Sequence, residues 1–474
     1  MAGRKAYDVV IVGAGAAGLA CALEAARGGA RVLVVEKDHR LGGALHLSGG
    51  HLSAAGTTRQ RARGITDSVQ AHREDVVRIS RGTARMDLVD VVTEHAPSTL
   101  TWLERGGFAC APETPRIVYG HEPYGTARTV YGVDGGLSIL AVLEAELAAV
   151  REAHELEVWT DAPVTELLTD SDGRVVGVEA QRRGAEVRAH ARHVVLATGG
   201  YGAAPELFEE LEGSTLVSAA TRTATGDGLY LGRAVGAGVQ GRGTHLPTFG
   251  GLPDPVTPGR ASWEERQLLT AERAPWEIYV DRAGRRWVAE DEASIDEKER
   301  ALTRVPDLTF WTVFDDAALS VATGPAQLIV GREPDEIRSM ANRRAGVHCA
   351  DTLTDLAVAA GIEAAGLVAT VDRYNAAVRA GGDPDFGRTH LPAPLARAPY
   401  YAIRNHAITL VTFQGLDIDA ECRVRGEDAL VIDGLYAVGE VIGAGATCGN
   451  SFCSGMLLTP ALTLGRLLGA RLAA

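Results

Sequence analysis

The hydrophobic and polar positions of the first forty residues form two strand-like runs that flank one helix-like run. Apolar, mostly β-branched residues follow Asp8 at positions 9–12 and Arg31 at positions 32–35, and residues 19–27 have a helical composition. Short β-branched runs without polar alternation are typical of strands buried on both faces of a parallel sheet. We therefore predict a strand, a helix and a second strand, as in an α/β domain.

The turn between the first strand and the helix carries glycines at positions 13, 15 and 18 in a G-x-G-x-x-G pattern. Gly13 permits a tight turn, Gly15 lets a pyrophosphate approach the backbone, and Gly18 lets the helix pack on the strand. The start of the helix also offers unpaired N–H groups to phosphates. Glu36 ends the second strand and is placed to accept hydrogen bonds from a ribose. Together these residues predict a dinucleotide site.

The loop at 41–51 contains two glycine pairs, Gly42-Gly43 and Gly49-Gly50, around a short apolar segment. Such a density of glycine indicates backbone that lies against something flat or large. If the first turn binds a dinucleotide, the isoalloxazine ring of a flavin is expected along this loop.

Short β runs continue at 164–168, 175–178 and 187–189, and Asp172-Gly173 predicts a hairpin turn between the first two. Another buried strand is predicted from His193, and it ends in a tight turn at Gly199-Gly200. Residues 88–104 and 137–152 have helical composition. The polar stretch at 119–122, with Arg128, could border the site but is interpreted as a surface loop.

Length and composition narrow the class of protein. A chain of 474 residues favours two domains, and prolines and tryptophans replace the Ala/Gly-rich background near residues 242–248. Acidic residues outnumber basic ones 61 to 47, and no basic run is present, so nucleic acid is not expected as a partner. The six cysteines show no CxxC or zinc spacing, and no segment has the length of a membrane span or signal peptide. We expect a cytoplasmic enzyme without a metal site.

Three stretches carry a resemblance to a known family: GAGAAGLA at 13–20, Glu36-Lys37, and GGALHLSGGHLSAAGT at 42–57. They resemble the FAD-binding domain of the fumarate reductase and succinate dehydrogenase flavoprotein superfamily, which includes 3-ketosteroid, tricarballylate and aspartate-oxidising members. The resemblance implies an α/β fold with a Rossmann-like, glutathione-reductase-type FAD-binding domain and an inserted α+β cap domain. The expected bounds are 1–243 and 410–474 for the FAD-binding domain and 244–409 for the cap.

The resemblance also implies the residues that contact FAD, through elements such as TGDG at 225–228 and GLYAVGE at 434–440. Some superfamily members carry FAD covalently on a histidine of the glycine-rich loop. Gly43 stands at that position and His46 is out of register, so noncovalent FAD is expected. The predicted FAD contacts are Gly13, Gly15, Ala16, Ala17, Gly18, Glu36, Lys37, Gly43, Ala44, Ser48, Gly49, Gly50, Val164, Thr198, Gly199, Asp227, Gly439, Glu440, Met456 and Leu457.

Catalytic candidates follow from the same resemblance. His245 lies in a segment similar to the superfamily's "hPt", whose histidine faces the substrate carbonyl or carboxylate. Ser451 and Gly455 have the four-residue offset of the tyrosine and glycine that polarise the ketone in 3-ketosteroid dehydrogenases. Arg388 and Tyr401 are further candidates. His406 is a weaker one, and Tyr400, Tyr401 and Glu290 are considered for proton transfer.

The chain departs from the fumarate reductases at three catalytic positions. Ser294 and Ser451 stand where those enzymes have arginines, and Val411 stands where they have a histidine. The losses favour a ketone or enone over a dicarboxylate. We therefore expect a dehydrogenase or reductase of a C–C bond next to a carbonyl, which exchanges hydride with flavin N5. The alternatives are a carboxylate dehydrogenase that uses Arg388 and His245, an amino-acid or amine oxidase, and a flavin-binding module without turnover. The electron partner is unassigned.

Overall fold

The computed structural model describes residues 6–266, 273–329 and 331–473. Its strands, in chain order, are β1 Tyr7–Val12, β2 Val32–Val35, β3 Leu52–Ser53, β4 Thr129–Val130, β5 Leu156–Trp159, β6 Val164–Thr169, β7 Val175–Arg182, β8 Ala185–Leu196, β9 Val239–Gln240, β10 Gly251–Pro253, β11 Ala261–Arg266, β12 Ile278–Val280, β13 Thr309–Asp315, β14 Val347–Ala350, β15 Tyr400–His406, β16 Gly415–Leu416, β17 Arg423–Arg425 and β18 Val431–Ala437.

The helices are α1 Ala16–Arg27, α2 Thr58–Ala62, α3 Val69–Ile79, α4 Met86–Arg105, α5 Gly136–Ala153, α6 Pro205–Glu212, α7 Asp227–Ala234, α8 Ile295–Leu302, α9 Asp316–Val321, α10 Pro334–Met340, α11 Leu353–Ala360, α12 Ala364–Ala380, α13 Gly445–Cys448 and α14 Leu458–Leu472. Short 3-10 turns lie at Gly43–His46, Pro306–Leu308, Gly324–Ala326 and Glu440–Ile442.

The main sheet has β1 near its centre, in the order β17-β18-β8-β1-β2-β5. Strand β1 pairs in parallel with β2 and β8, and β5 and β18 extend the parallel part outward. Val9 to Val12 are buried, as expected for a strand covered on both faces. The predicted α/β class and the strand, helix and strand unit are therefore confirmed.

The two ends of the chain meet where α1 packs on α14. A Cβ placed on Gly465 would lie 2.4 Å from the carbonyl oxygen of Ala17, and one on Gly469 would lie 2.2 Å from that of Cys21. Only glycine lets the two helix backbones approach so closely. The contact joins the last helix to the first helix.

Gly465→Ala is therefore expected to destabilise the protein by about 1–3 kcal/mol, because the added methyl group must push two packed helices apart. The measurement is urea unfolding followed by circular dichroism. Gly382→Ala is the matched control, since a Cβ at Gly382 would meet nothing within 4 Å. Equal unfolding midpoints for the two variants would contradict the close-packing account.

An antiparallel unit extends from the main sheet. Strands β6 and β7 form the hairpin predicted at Asp172-Gly173, and β7 pairs with the first half of β8. The second half of β8 pairs with β1 in the main sheet. Strand β8 thus belongs to both units and holds Val164, at the start of β6, close to the parallel sheet.

The segment between residues 244 and 409 contains its own four-stranded antiparallel sheet, in the order β12-β13-β15-β14. Helices α11 and α12 contribute to a hydrophobic cluster on this sheet, which is distinct from the cluster around β1. Where the chain enters and leaves this segment, Thr248 pairs with Ile408 and Ser218 pairs with Thr409. The α+β character is as expected, and the domain bounds remain a prediction.

Across residues 6–266, 273–329 and 331–473, no helix combines the length and apolar character needed to cross a membrane. The same described residues contain no cluster of histidine, cysteine, aspartate or glutamate side chains suited to a metal ion.

Candidate active site

A cavity of about 730 Å³ lies at the carboxyl ends of the parallel strands. Val12 ends β1, Val35 ends β2, Ala197 follows β8 and Gly439 follows β18, and all four residues line the cavity. Ligands of open α/β sheets bind at this edge, outside the carboxyl ends of the strands.

The glycine-rich turn forms one wall of the cavity. Gly13 has a φ of 104°, and a Cβ on Gly18 would lie 2.0 Å from the Gly13 carbonyl oxygen. Gly15 precedes α1 without any side-chain cap, so the first N–H groups of the helix are available to a phosphate. A Cβ on Gly15 would meet nothing within 4 Å, which leaves free space in front of the helix.

Glu36 lies at the end of β2 with its carboxylate fixed by the backbone. Its Oε2 accepts from the Ala14 N–H at 2.7 Å, and its Oε1 accepts from the Asp38 N–H at 2.9 Å. Both contacts orient the carboxylate at the cavity wall, where a ribose hydroxyl can donate to it. The neighbouring Lys37 binds Asp227 Oδ2 at 2.7 Å and so joins this end to α7.

The second glycine-rich loop lies against the first. The Gly42 N–H donates to the Ala14 carbonyl at 2.8 Å, and Gly43 has a φ of 50°. His46 Nε2 contacts the Leu41 carbonyl at 2.8 Å, and the ring is not among the lining groups of the main cavity. His46 therefore serves the loop itself, and noncovalent attachment of FAD remains a prediction.

Glu440 and Thr198 both line the cavity. Glu440 Oε1 accepts from the Thr412 N–H at 2.9 Å and from the Thr412 hydroxyl at 3.0 Å, and burial raises the pKa of its carboxyl group. The Thr198 hydroxyl is buried and has no protein partner among the described residues. A ligand with several hydroxyl groups would satisfy both side chains.

The predicted FAD contacts converge on this one cavity. All of them line it except Gly18, which supports the first turn, and Gly50, which packs against Gly135. The open space at Gly15, the uncapped helix and the unpartnered Thr198 hydroxyl match a pyrophosphate and a polyol chain. The residues present therefore fit FAD.

A further set of lining residues lies outside the predicted FAD contacts, and half of its members have apolar side chains. The residues of this set come from the cap segment, from the chain after it and from the two loops around residues 51 and 121: His51, His121, Thr248, Phe249, Ile295, Glu299, Leu410, Val411, Phe452 and Gly455. No arginine lines the cavity within the described part of the chain. These residues define the candidate substrate chamber.

Glu299 is the carboxyl group of the chamber. It is 1% exposed, and its Oε1 accepts from the Thr248 hydroxyl at 2.5 Å. Burial raises the pKa of this carboxyl group to about 8, with a further contribution from Asp296. Sequence reasoning missed Glu299 because it lies in the acid-rich run after residue 290, which is typical of a solvated helix face.

Two histidines of the chamber are held neutral. Burial lowers the pKa of His121 to about 4 and also lowers the pKa of His51. The His121 ring stacks on Phe452 at 5.0 Å, and its Nδ1 has no partner among the described residues. The stretch at 119–122 thus borders the cavity through Gly120 and His121, and His121 is half-buried there.

His245 does not line the cavity, in contrast to the expectation. Its ring packs edge-on against Phe208 and Phe413 at 5.2 and 5.7 Å, and burial lowers its pKa to about 4. Thr248, three residues further along the chain, lines the chamber instead. The catalytic role of His245 stays a prediction, which this geometry does not support.

Ser451 and Gly455 differ in their access to the cavity, and their joint oxyanion role stays a prediction. The Ser451 hydroxyl donates to Asp296 Oδ1 at 2.6 Å and does not line the cavity. Gly455 lines it, with a φ of 78°. Only Gly455 of this pair remains positioned to contact a substrate.

The other catalytic candidates lie away from the cavity, inside the cap segment. Arg388 is fully buried, donates to Glu290 and to backbone carbonyls of residues 275, 277 and 390, and so stabilises the cap. Tyr401 stacks on Phe314 at 5.4 Å within the core of the four-stranded sheet. Neither these side chains nor Tyr400 and His406 line the cavity, and their contacts with substrate stay a prediction without support from the cavity lining.

The positions that differ from the fumarate reductases have local structural roles or apolar surfaces. Ser294 caps α8 and donates to Glu122 at 2.6 Å. Val411 lines the chamber.

Cys448 and Cys453 are both buried free thiols.

The fold and the cavity define an FAD-dependent oxidoreductase. The chain belongs to the FAD binding domain family, whose model matches residues 8–457. It is 30% identical over 475 residues to a fumarate reductase (cytochrome) of Shewanella frigidimarina, with 98% of this chain and 76% of that protein covered. It is also 30% identical over 556 residues to 4-oxocyclohexanecarboxylate 2-dehydrogenase of Sinomonas cyclohexanicum, with 99% and 93% covered.

A solved structure shares the whole fold. The 3-ketosteroid Δ1-dehydrogenase of Sterolibacterium denitrificans, in complex with 1,4-androstadiene-3,17-dione, superposes with a TM-score of 0.80 at 21% identity. The match covers 99% of this chain and 100% of that chain. The protein is thus an FAD-dependent oxidoreductase of a family that acts on carbon–carbon bonds.

Proposed function

We propose that this enzyme adds or removes hydrogen at a C–C bond next to the carbonyl group of a ketone, with FAD as the hydride partner. The observation that carries the proposal is the chamber lining, in which half of the side chains are apolar and which, among the described residues, contains no arginine. A ketone or enone is neutral and has one group that needs a hydrogen-bond donor.

Electrostatics favour the neutral substrate. Transfer of a carboxylate into an apolar chamber is unfavourable unless a paired cation compensates for the lost hydration. Among the described residues, the lysine or arginine side chain that lines the cavity is Lys37, which is bound to Asp227. His51 and His121 have lowered pKa values and are neutral at pH 7, so they offer hydrogen bonds but no charge.

The comparisons support the ketone part of the proposal. One relative with nearly full coverage is named as a dehydrogenase of 4-oxocyclohexanecarboxylate, a ring that bears a ketone and also a carboxylate, so its name does not bear on the neutral charge. The relatives named as fumarate reductases support the alternative of a carboxylate substrate. The sequence favours the ketone, because Val411 and Ser451 stand where the resemblance to fumarate reductases implies a histidine and an arginine.

Each part of the site has a defined task in the proposed reaction. The bound FAD supplies hydride acceptor or donor chemistry. The glycine-rich turn, Glu36 and Glu440 hold and orient the cofactor. Phe249, Val411 and the other apolar groups exclude water from the chamber, which strengthens hydrogen bonds to a substrate carbonyl. The candidate donors for a hydrogen bond to the substrate carbonyl are the Gly455 backbone and the His121 ring, which both line the chamber.

Anaerobic titration of the purified yellow protein tests the proposal. Saturated cyclic ketones are expected to bleach the oxidised-flavin absorption band, or cyclic enones to restore it after chemical reduction. Free FAD with the same compounds is the control. Bleaching or recovery only with carboxylates would favour the carboxylate alternative, and peroxide release with amino acids would favour an oxidase. A flavin that responds to none of these compounds would contradict the proposed function.

A further inference from the structure

The four carboxyl groups that line the cavity differ in what holds them. Glu36 is fixed by two backbone N–H groups, Asp227 pairs with Lys37, and Glu440 is bound by Thr412. All three lie along the part of the cavity that fits FAD. Glu299 lies in the substrate chamber, and its hydrogen bond in the described structure is with the Thr248 hydroxyl. The FAD contacts therefore leave Glu299 without an assigned task.

We propose that Glu299 is the catalytic acid and base of this enzyme, and that it exchanges a proton with the substrate carbon next to the carbonyl group. The inference rests on the proposed function and names the proton-transfer residue of that same site. Thr248 is the positioning residue, since its hydroxyl holds one carboxyl oxygen.

The position of Glu299 follows from the register of α8. Ile295 and Glu299 are four residues apart, so both project from the same face of the helix, and both line the chamber. Ser294 begins the helix by accepting from the Glu297 N–H at 3.0 Å, which sets that register. Thr248 comes from the segment that enters the cap, where it pairs with Ile408. Two separate parts of the chain thus hold the carboxyl group in place.

The charges around Glu299 favour its protonated form. Asp296 lies on the same helix and already accepts from Ser451, Arg300 and Arg81. The hydrogen bond from Thr248, together with Arg300 and Lys298, lowers the pKa of Glu299, but burial is the largest influence and raises it to about 8. At pH 7 the group is mostly a neutral acid that can give up a proton inside an apolar chamber.

The proposed step balances atoms and electrons in both directions. In reduction, the β carbon of an enone accepts hydride, the C=C electron pair moves to the α carbon, and that carbon takes the proton from Glu299. The carboxylate left behind is reprotonated from solvent after release of the product. In dehydrogenation, the Glu299 carboxylate takes the α proton while the β carbon gives up hydride. Reduction is therefore expected to slow above pH 8, and dehydrogenation is expected to speed up there.

Glu299→Gln tests the proposal with matched controls. The variant keeps the shape of the side chain but cannot exchange a proton, so we expect about 100-fold or more loss of turnover, as is typical for a general acid or base. It should retain FAD, and its remaining rate should lose the wild-type dependence on pH around 8. Glu297→Gln is the control, since Glu297 lies on the same helix with its carboxylate paired to Arg81 at the surface. It should behave as wild type.

Proton exchange supplies a second measurement that needs no hydride transfer. In D₂O the wild-type protein is expected to exchange the α hydrogens of a bound ketone, followed by NMR, and Glu299→Gln is expected to lose this exchange. A Glu299→Gln variant with wild-type turnover, pH profile and exchange would overturn the assignment. Thr248→Val should lower turnover less than Glu299→Gln, because it removes only the orienting contact.

The wild-type protein tests the proposed function, and the Glu299→Gln variant tests the role of Glu299. Failure of every ketone with wild-type protein refutes the proposed function. If a carboxylate is the substrate instead, the ratio of wild-type to Glu299→Gln turnover with that compound decides the role of Glu299. A protein that turns over no compound in the panel overturns both proposals.

Discussion

Gly15→Val is expected to give a folded protein that has lost its FAD. Gly15 has extended backbone dihedrals, φ −78° and ψ −174°, which valine adopts without strain. A Cβ at this position would meet no protein atom within 4 Å, so the folded chain has room for the side chain. That room is the space in front of the α1 N-terminus, where the pyrophosphate of FAD is expected.

We expect the affinity of Gly15→Val for FAD to fall by at least about 100-fold, which corresponds to about 2.7 kcal/mol. The measurement is the ratio of flavin to protein absorbance after purification, with circular dichroism to verify the fold. Gly382→Val, at another glycine with open space but away from the cavity, should retain FAD. Gly18→Val would be uninformative, since a Cβ there lies 2.0 Å from the Gly13 carbonyl oxygen and disrupts the turn itself. A yellow Gly15→Val protein with full flavin content would contradict the placement of FAD.

His72 is expected to make the protein sensitive to acid. Its ring is fully buried beside Tyr124, and neither ring nitrogen has a partner among the described residues. Burial, with a smaller contribution from Arg128, lowers the pKa of His72 to about 3. In the unfolded chain His72 binds a proton near pH 6.5, whereas in the native protein it stays neutral until about pH 3. The free energy of unfolding therefore falls as the pH falls from 6.5 towards 3.

At pH 5.0 this single group is expected to lower the free energy of unfolding by about 2 kcal/mol relative to pH 7.5. His72→Phe keeps a ring against Tyr124 and removes the titration, so its stability should fall by about 2 kcal/mol less over that range. Urea unfolding at the two pH values measures the difference. His154→Phe, at an exposed position, is the matched control. If wild type and His72→Phe lose the same stability on acidification, the buried neutral imidazole is not the cause.

Much of the cofactor site could be predicted from sequence because its determinants are local. The turn at Gly13 and Gly15, the acid at the end of β2 and the glycine-rich loop each lie within a few residues of the element that positions them. Local patterns of this kind depend on backbone conformation and strand burial, which short stretches of sequence report directly. The hairpin at Asp172-Gly173 and the helices near residues 88–104 and 137–152 were predicted for the same reason.

The catalytic side could not be predicted in the same way. His245 carries a familiar motif, yet its ring packs between Phe208 and Phe413. Ser451 has a suggestive spacing from Gly455, yet its hydroxyl is bound by Asp296. Which atom a side chain contacts depends on elements that are far away in the sequence.

By itself, the amino-acid sequence determined that this chain forms a parallel α/β sheet around a dinucleotide turn and that it lacks the arginines of a dicarboxylate site. The tertiary structure alone decided which groups line the substrate chamber. Thr248 and Glu299 are 51 residues apart and meet only because the cap segment folds α8 over the cavity. A buried carboxyl group acquires its unusual protonation from that packing, since burial depends on the whole fold and not on neighbouring residues in the chain.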